Sequence, residues 1–375
     1  MAKPHIDPVR WQPPGSRPLP PPDPTPALRI VEIPGTAPED VVAAADGSIW
    51  TGVEDGRIVA VGPDGTAPRV VTDTGGRPLG LAFTGDHRLL ICDSHRGLLR
   101  YDPQTGRLET LVSEVAGQAL TFCSNAVESA DGTIYFTEST NRFHYEHYKG
   151  SVIEARGSGS LLRRDPDGAV SVLADGLHFA NGVTLTTDES AVVFAESTGR
   201  RLSKYWLTGP HRGSITPLVE ELPGHPDNIS TGTDGRIWVA MVSDRNALSD
   251  WLSPRAPVLR RLLWRLLPYR LLPDPTPVVW VVAFDADDGR VLAQFRTEHP
   301  DFGLATGVVE SDGRLWMGRI AGSGLAYFEL SELAADAERA AAFRAERDAT
   351  RAEAALHTLV DENRDWDTTG GDGLD

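Results

Sequence analysis

Short runs of alternating apolar and polar residues recur along most of the chain. An Asp, most often Asp-Gly, is followed two or three residues later by a strand-like run such as SIWTG, TIYFT, RIWVA or RLWMG. Asp-Gly favours a tight turn, and Ile, Val, Trp and Tyr favour a pleated, half-buried strand. Six such anchors occur, at Asp46, Asp86, Asp131, Asp188, Asp234 and Asp312, spaced 40, 45, 57, 46 and 78 residues apart. Each is followed by a second strand-like run, such as GRIVAV from Gly56, GLLRYD from Gly97 or WVVAFD from Trp280. Two hairpins per unit make a four-stranded propeller blade. The pattern therefore predicts an all-β protein, a six-bladed β-propeller over residues 27–330. The strand LRIVEI from Leu28 precedes the first unit and is expected to complete the last blade, which hides an edge.

Three segments depart from the period. Ten of the first 26 residues are proline, and residues 1–26 read as an extended, poorly ordered arm without the apolar stretch of a signal peptide. Residues 250–274 contain Val258, Leu259, Leu262, Leu263, Leu266 and Leu267 at helical spacing with Arg255, Arg260, Arg261, Arg265 and Arg270 among them. This predicts a helical insertion in the fifth blade, docked on the rim near the channel mouth as a lid. Membrane contact through residues 255–272 is a less favoured reading of the same segment. Residues 331–375 read as a C-terminal helix followed by an acidic tail.

Composition narrows the function. The net charge is −17, with 36 Lys plus Arg against 53 Asp plus Glu, which argues against nucleic acid as a partner. Two cysteines without a CxxC spacing make no disulfide framework or structural zinc site, so a reduced, cytoplasmic setting is expected. No nucleophile elbow, phosphate loop or dinucleotide fingerprint is present.

The candidate chemistry comes from register. Six to seven residues before each anchor the chain places Glu39, then Leu79 and Gly80, Asn125, Asn181, Asp227 with Asn228, and Ala305 with Thr306. Singly, Asn-Gly or Pro-Asp-Asn is ordinary turn chemistry. Jointly, four of six blades present an oxygen donor at one register of strands that line a common channel. Oxygen-only donors with one or two carboxylates suit a hard cation, Ca²⁺ or another divalent ion. Of the histidines, His178 carries the most functional weight because it stands three residues before Asn181. His95, His144, His147 and His225 are weaker candidates.

The stretches APEDVV, FCSNAVESADGTIYFTEST, LHFANGVTLTTDES and LPGHPDNISTGTDGRIWVA resemble the strictosidine-synthase-like branch of the gluconolactonase, regucalcin and paraoxonase superfamily of six-bladed propellers, from about residue 30 to 330. The resemblance implies one catalytic divalent metal, usually calcium, with Glu39, Asn181 and Asp227 as direct ligands. Asn125 would be a ligand or bind substrate, and Asn228 would support the set. Where paraoxonases use an acid for a second calcium, this chain has Ala126. Where strictosidine synthase carries its catalytic glutamate, this chain has Thr306. The implied activity is hydrolysis of a small lactone or ester, with Asp227 as candidate base. The alternatives are a non-hydrolytic biosynthetic enzyme of strictosidine-synthase type and a ligand-binding propeller without turnover.

Overall fold

Each predicted pair of hairpins closes into one antiparallel sheet. The computed structural model describes residues 3–255, 257–272 and 274–331. Six four-stranded sheets are present, together with a small hairpin at Glu114–Val115 and Gln118–Ala119. The first strands of blades one to six are Val41–Ala43, Pro78–Phe83, Cys123–Glu128, Ala180–Leu185, Gly224–Thr231 and Ala305–Ser311. These strands pack against one another around the ring and line its axis. The anchor aspartates sit in the turns that follow. Asp131 Oδ1 accepts the Thr133 amide (2.9 Å) and Asp188 Oδ1 the Ser190 amide (3.0 Å). Gly132 follows at φ +81°, a conformation that costs glycine nothing.

The ring closes as expected. Arg29–Val31 is the outermost strand of blade six and pairs antiparallel with Leu325–Glu329, Ile30 opposite Ala326. One apolar cluster fills each wedge between neighbouring blades. Between blades one and two it includes Trp50, Ile58, Leu89 and Tyr101, and between six and one it includes Trp316, Tyr327, Ile49 and Val59. Every sheet has a neighbour on both faces, so second strands such as Ile134–Glu138 and Ala191–Glu196 are buried throughout. A repeated acid-serine pair sits at their ends: the acid fixes the segment entering its own blade and the serine ties that blade to the next. The Glu138 and Glu196 carboxylates accept the amides of Thr121 (2.8 Å) and His178 (2.8 Å), and the Ser139 and Ser197 hydroxyls donate to Ala180 O (2.7 Å) and Pro226 O (2.6 Å).

The fifth-blade insertion forms α2 (Ala247–Leu252), α3 (Pro257–Leu266) and a 3₁₀ turn, Tyr269–Leu271. A second insertion escaped the sequence reading. Between the second and third strands of blade three lie a 3₁₀ turn, Tyr145–His147, and α1 (Tyr148–Glu154), which packs against α3. This explains the 57-residue spacing between anchors. The helix is too short, and its sequence YKGSVIE too mixed, to show an apolar stripe.

The N-terminal arm corrects the expectation of poor order. It is extended and has no regular structure, but it is laid across both insertions and the blade rims. Ile6 is buried with Phe143, Trp264 and Leu272. Trp264 Nε1 donates to Pro4 O (2.8 Å), the Val9 amide to Glu154 O (3.0 Å), the Trp11 amide to Ser253 O (3.2 Å) and the Asp23 amide to Gln294 O (2.7 Å). Arg200 and Arg260 donate to the carbonyls of Pro14 and Val9. Proline restricts the unfolded arm, so ordering it costs less entropy than ordering a flexible chain of equal length. The C-terminal helix and tail expected over residues 331–375 lie outside the described residues after Ser331.

Candidate functional site

One irregularity, repeated in five blades, builds the site. The ladder between first and second strands slips between Pro78 and Leu81, Cys123 and Ala126, Ala180 and Val183, Pro226 and Ile229, and Ala305 and Val308. The residues left out of register, Leu79-Gly80, Ser124-Asn125, Asn181-Gly182, Asp227-Asn228 and Thr306-Gly307, include every candidate position of these blades except Ala305, which stays paired with Arg319. A bulge turns side chains out of the pleat and along the channel. Glycine inside it lets the next blade approach: a Cβ on Gly182 would stand 2.4 Å from the Ile229 nitrogen. Blade one contributes Glu39 and Asp40 just before its first strand.

These residues meet. Asn125 Nδ2 donates to Asp40 Oδ2 (3.2 Å) and Asn228 Oδ1 (3.1 Å), and Asn228 Nδ2 donates to Glu39 Oε1 (3.2 Å). Asn181 Nδ2 donates to Asp227 Oδ1 (2.6 Å) and Ser197 Oγ (3.1 Å), and its Oδ1 accepts from Ser124 Oγ (2.9 Å). All six carboxylate and amide residues are buried. Asp40, the residue after Glu39, is part of this network and also accepts the Leu81 amide (3.0 Å). Sequence could have singled it out as the second acid of APEDVV, but nothing there shows that Asn125 reaches back across the channel to it.

The network carries more negative character than it can satisfy. Burial raises the Glu39 carboxyl well above its usual range, and Asp227 and Asp40 push it further, against an opposing effect of Arg77. Burial pushes Asp40 up to about 7. Burial and then Asp40 push Asp227 up to about 8, although the Asn181 amide opposes this. Glu39 Oε2 is buried without a hydrogen-bond partner. Such an orphan acceptor beside two more acids fits a hard cation. Among the described residues no three His, Cys, Asp or Glu side chains make a metal cluster by themselves, so the asparagine carbonyl oxygens are needed to complete a donor set.

Above this floor lies a cavity of about 440 Å³. Glu39, Asn181 and Asp227 line it, while Asn125 and Asn228 lie beneath, bridging the carboxylates. Its sides include Phe122, Tyr145, Phe179 and His225, and its roof comes from α1, α2, α3 and the turn after α3. The insertion therefore covers the channel mouth.

His178 is not among the residues lining the cavity. Its ring stacks on Trp11 of the arm (centroids 4.3 Å apart), and burial lowers its basicity. Proximity in sequence to Asn181 misled here, because His178 stands before the strand Ala180–Leu185 and three residues along an extended chain reverse the side a side chain faces. His225 does line the cavity. Its Nδ1 lies 2.9 Å from Ser197 O, and burial lowers the basicity of the ring. A neutral ring whose Nδ1–H donates to a carbonyl leaves Nε2 as a proton acceptor. Thr306 is fully buried, and its hydroxyl donates to Glu39 O (2.6 Å). It holds the backbone of a candidate ligand. Cys92 and Cys123 are free and buried in the wedge between blades two and three.

A family model described as SMP-30/Gluconolactonase/LRE-like region matches residues 41–249. The adipocyte plasma membrane-associated protein of Salmo salar is 30% identical over 334 residues, covering 82% of this chain and 79% of that one. The protein STRICTOSIDINE SYNTHASE-LIKE 6 of Arabidopsis thaliana is 32% identical over 294 residues, covering 76% and 78%. Among solved structures, a gluconolactonase from Xanthomonas campestris superposes with TM-score 0.58 at 18% identity, covering 87% of this chain and 97% of that one. A calcium-binding protein, regucalcin, from Agrobacterium tumefaciens superposes with TM-score 0.54 at 16% identity, covering 80% and 95%. At these identities the structural likeness is one of fold. Among the described residues no helix is long and apolar enough to cross a membrane.

Proposed function

Because the chain belongs to the SMP-30/gluconolactonase/LRE-like family, we propose that its channel hydrolyses a small lactone or ester with the help of a divalent cation, calcium by the chemistry of the donors. The observation that carries this reading is the meeting of Glu39, Asp40 and Asp227 on the channel floor, with Glu39 Oε2 unpartnered beneath an accessible cavity. Glu39, Asn181 and Asp227 would hold the cation, and it would supply Lewis acidity toward a carbonyl oxygen.

The chain's own groups do the rest. Asn125 and Asn228 hold the carboxylates apart and in orientation through their amide hydrogens. Asp227 accepts the proton of the attacking water, and the neutral His225 two residues before it is the second candidate base. The water oxygen bonds to the carbonyl carbon, the ring or ester C–O bond breaks, and the released alkoxide takes up the proton. The helical roof excludes bulk water while this happens.

The test is hydrolysis of δ-valerolactone and phenyl acetate, followed as proton or phenol release. Turnover should be lost in chelator, restored by calcium and abolished by Asp227→Asn. Turnover that survives both treatments overturns the reading. The strictosidine-synthase-like relative favours one alternative, a non-hydrolytic biosynthetic enzyme, which would work in chelator and form no acid. Against it, the sixth-blade position supplies only the Thr306 hydroxyl, already committed to Glu39 O. A binding propeller without turnover would show ligand-dependent melting and no product.

A further inference from the structure

A lid over the channel and contact with a membrane are rival readings of residues 250–274 in the sequence. In the fold they use different sides of one helix. Arg260 and Trp264 of α3 are buried, and Leu263 and Leu267 border the cavity. Val258, Leu262 and Leu266 recur one turn apart on another side, with Leu259 beside them. All four are exposed, Val258 by 76%.

Apolar exposure is concentrated here. Twelve large apolar side chains are exposed among the described residues, and seven of them lie between residues 248 and 271. Besides the four on α3 these are Leu248 and Trp251 of α2 and Leu271 of the turn after α3. The other five stand singly on the outermost strands of five blades. Scattered exposure is ordinary, whereas a grouped apolar face marks an interaction surface.

Charge in the same segment has one sign. Residues 251–272 contain five arginines and no Asp or Glu, in a chain of net charge −17. Arg260 is turned inward, and Arg261 pairs with Asp7 (2.8 Å). Arg255 lies over the Trp251 ring, 5.4 Å from its centroid. Arg265 and Arg270 are exposed and make no hydrogen bond or ion pair with any described residue. Arg261 and Arg265, four residues apart, flank the exposed stripe.

A helix with an apolar stripe beside arginines suits the plane of a lipid interface. Its leucines enter the acyl boundary while the guanidinium groups stay at the headgroups. Anionic headgroups supply the counter-charge that Arg265 and Arg270 lack. The acidic remainder of the chain is repelled by the same surface, which leaves this face to approach it. A second copy fits less well, because pairing this face with itself sets arginine against arginine. The ten residues of α3 cover only about 15 Å, so the contact lies on the bilayer and does not cross it.

We propose that the outer side of α2, α3 and the following turn docks this protein on the surface of an anionic lipid bilayer. Leu248 and Leu271 are both exposed and border the cavity, so docking brings the cavity mouth to the lipid. The proposal is independent of the hydrolytic reading, since neither the floor nor a metal takes part in it.

The experiment is co-sedimentation of the full chain with vesicles. One set is phosphatidylcholine alone, and the other contains about a third phosphatidylserine. The protein should bind the anionic vesicles, and less so as salt rises. Leu266→Ser and Val258→Ser should each weaken binding roughly tenfold. Arg265→Gln and Arg270→Gln should each weaken it about fivefold. None of these four residues lines the cavity. Their circular dichroism and melting temperature should match the wild type, which separates lost docking from lost folding. Quenching of tryptophan emission by brominated lipid should drop in Trp251→Phe. Absence of binding, equal binding to both vesicles, or binding indifferent to Leu266→Ser and Arg265→Gln overturns the proposal. So does a lipid-free dimer that Leu266→Ser dissociates, since a second copy then covers this face.

Discussion

At the floor of the cavity, Glu39, Asn125, Asn181 and Asp227 come from four blades, yet each stands in or just before the first half of its blade's innermost strand. At the roof, Leu252, Leu263 and Leu267 come from one insertion, facing α1 from another, and no sheet hydrogen bonds connect them. The floor is positioned by backbone ladders and a repeated bulge. The roof is positioned by side chains: Arg260 bonded to three other segments, Trp264 and Ile6 packed together, and the arm laid over both. A repeat can place donors accurately but has little freedom to vary them, because each bulge is wedged against the next blade. An insertion held by side chains can change its lining without disturbing the ring. The difference separates what performs the reaction from what chooses the substrate.

The most forceful attempt to break this separation is Asp227→Asn. It should lower kcat by about a hundredfold or more, while Leu267→Gln should alter KM between substrates and leave kcat for a short lactone within a few-fold. If the roof variant lowers kcat as much as the floor variant, the two regions are one catalytic unit.

Stability against pH should carry a contribution from the floor, set against the opposite contribution of the buried His178 and His225. Its acids have folded pKa values above their unfolded ones, so the folded state holds more protons. That stability is whole below about pH 4 and is lost as pH rises through about 7 for Asp40 and about 8 for Asp227. In chelator the melting temperature should therefore fall between pH 5 and pH 8, as the floor's contribution to the unfolding free energy drops by on the order of a few kcal/mol. Calcium at a hundred times its Kd should return about 2.7 kcal/mol at pH 8. Glu39→Gln should remove this calcium increment and raise the melting temperature of the chelated protein at pH 8. A flat profile in chelator, with no response to calcium, would mean the buried acids are not the source of strain.

A smaller effect sharpens the description of the roof. Ile6→Ala should weaken the arm and α3 by about 2 kcal/mol. Amide exchange should become faster in α3 and α1 but stay unchanged in the blade strands. Acceleration in blade strands as well would show that the arm supports the ring. The smallest effect is expected on the outer side of the same helix, where Leu266 is 68% exposed. Leu266→Ser should change stability by no more than about 0.5 kcal/mol. A larger loss would mean that this outer face is covered in solution.

Much of the floor was legible because a propeller repeats itself. The anchors marked the turns, counting back from them found Glu39, Asn125, Asn181, Asp227 and Asn228, and the structure brings all five to one floor, in two hydrogen-bonded groups. His178 was misplaced because it precedes the strand that carries Asn181 and faces the other side, against Trp11. Asp40 was underweighted because its partners Leu81 and Asn125 lie in other blades. Tyr145 and Lys149 were missed because the 3₁₀ turn and α1 that carry them are too short to show a readable stripe. The arm was misjudged because proline content signals extension, and extension was equated with poor order.

The sequence by itself determined the number of blades, the strand that closes them and the register at which oxygen donors face the axis. All three follow from local periodicity: a turn signal and an alternating strand mean the same thing at each recurrence. Only the tertiary structure decided that three acids share one buried floor, that His225 and not His178 lines the cavity, and that an arm and two insertions make an apolar roof over it. Those outcomes depend on contacts between residues far apart in the chain, such as Ile6 with Trp264 and Asn125 with Asp40. Such contacts are set by packing geometry, and no local pattern encodes them.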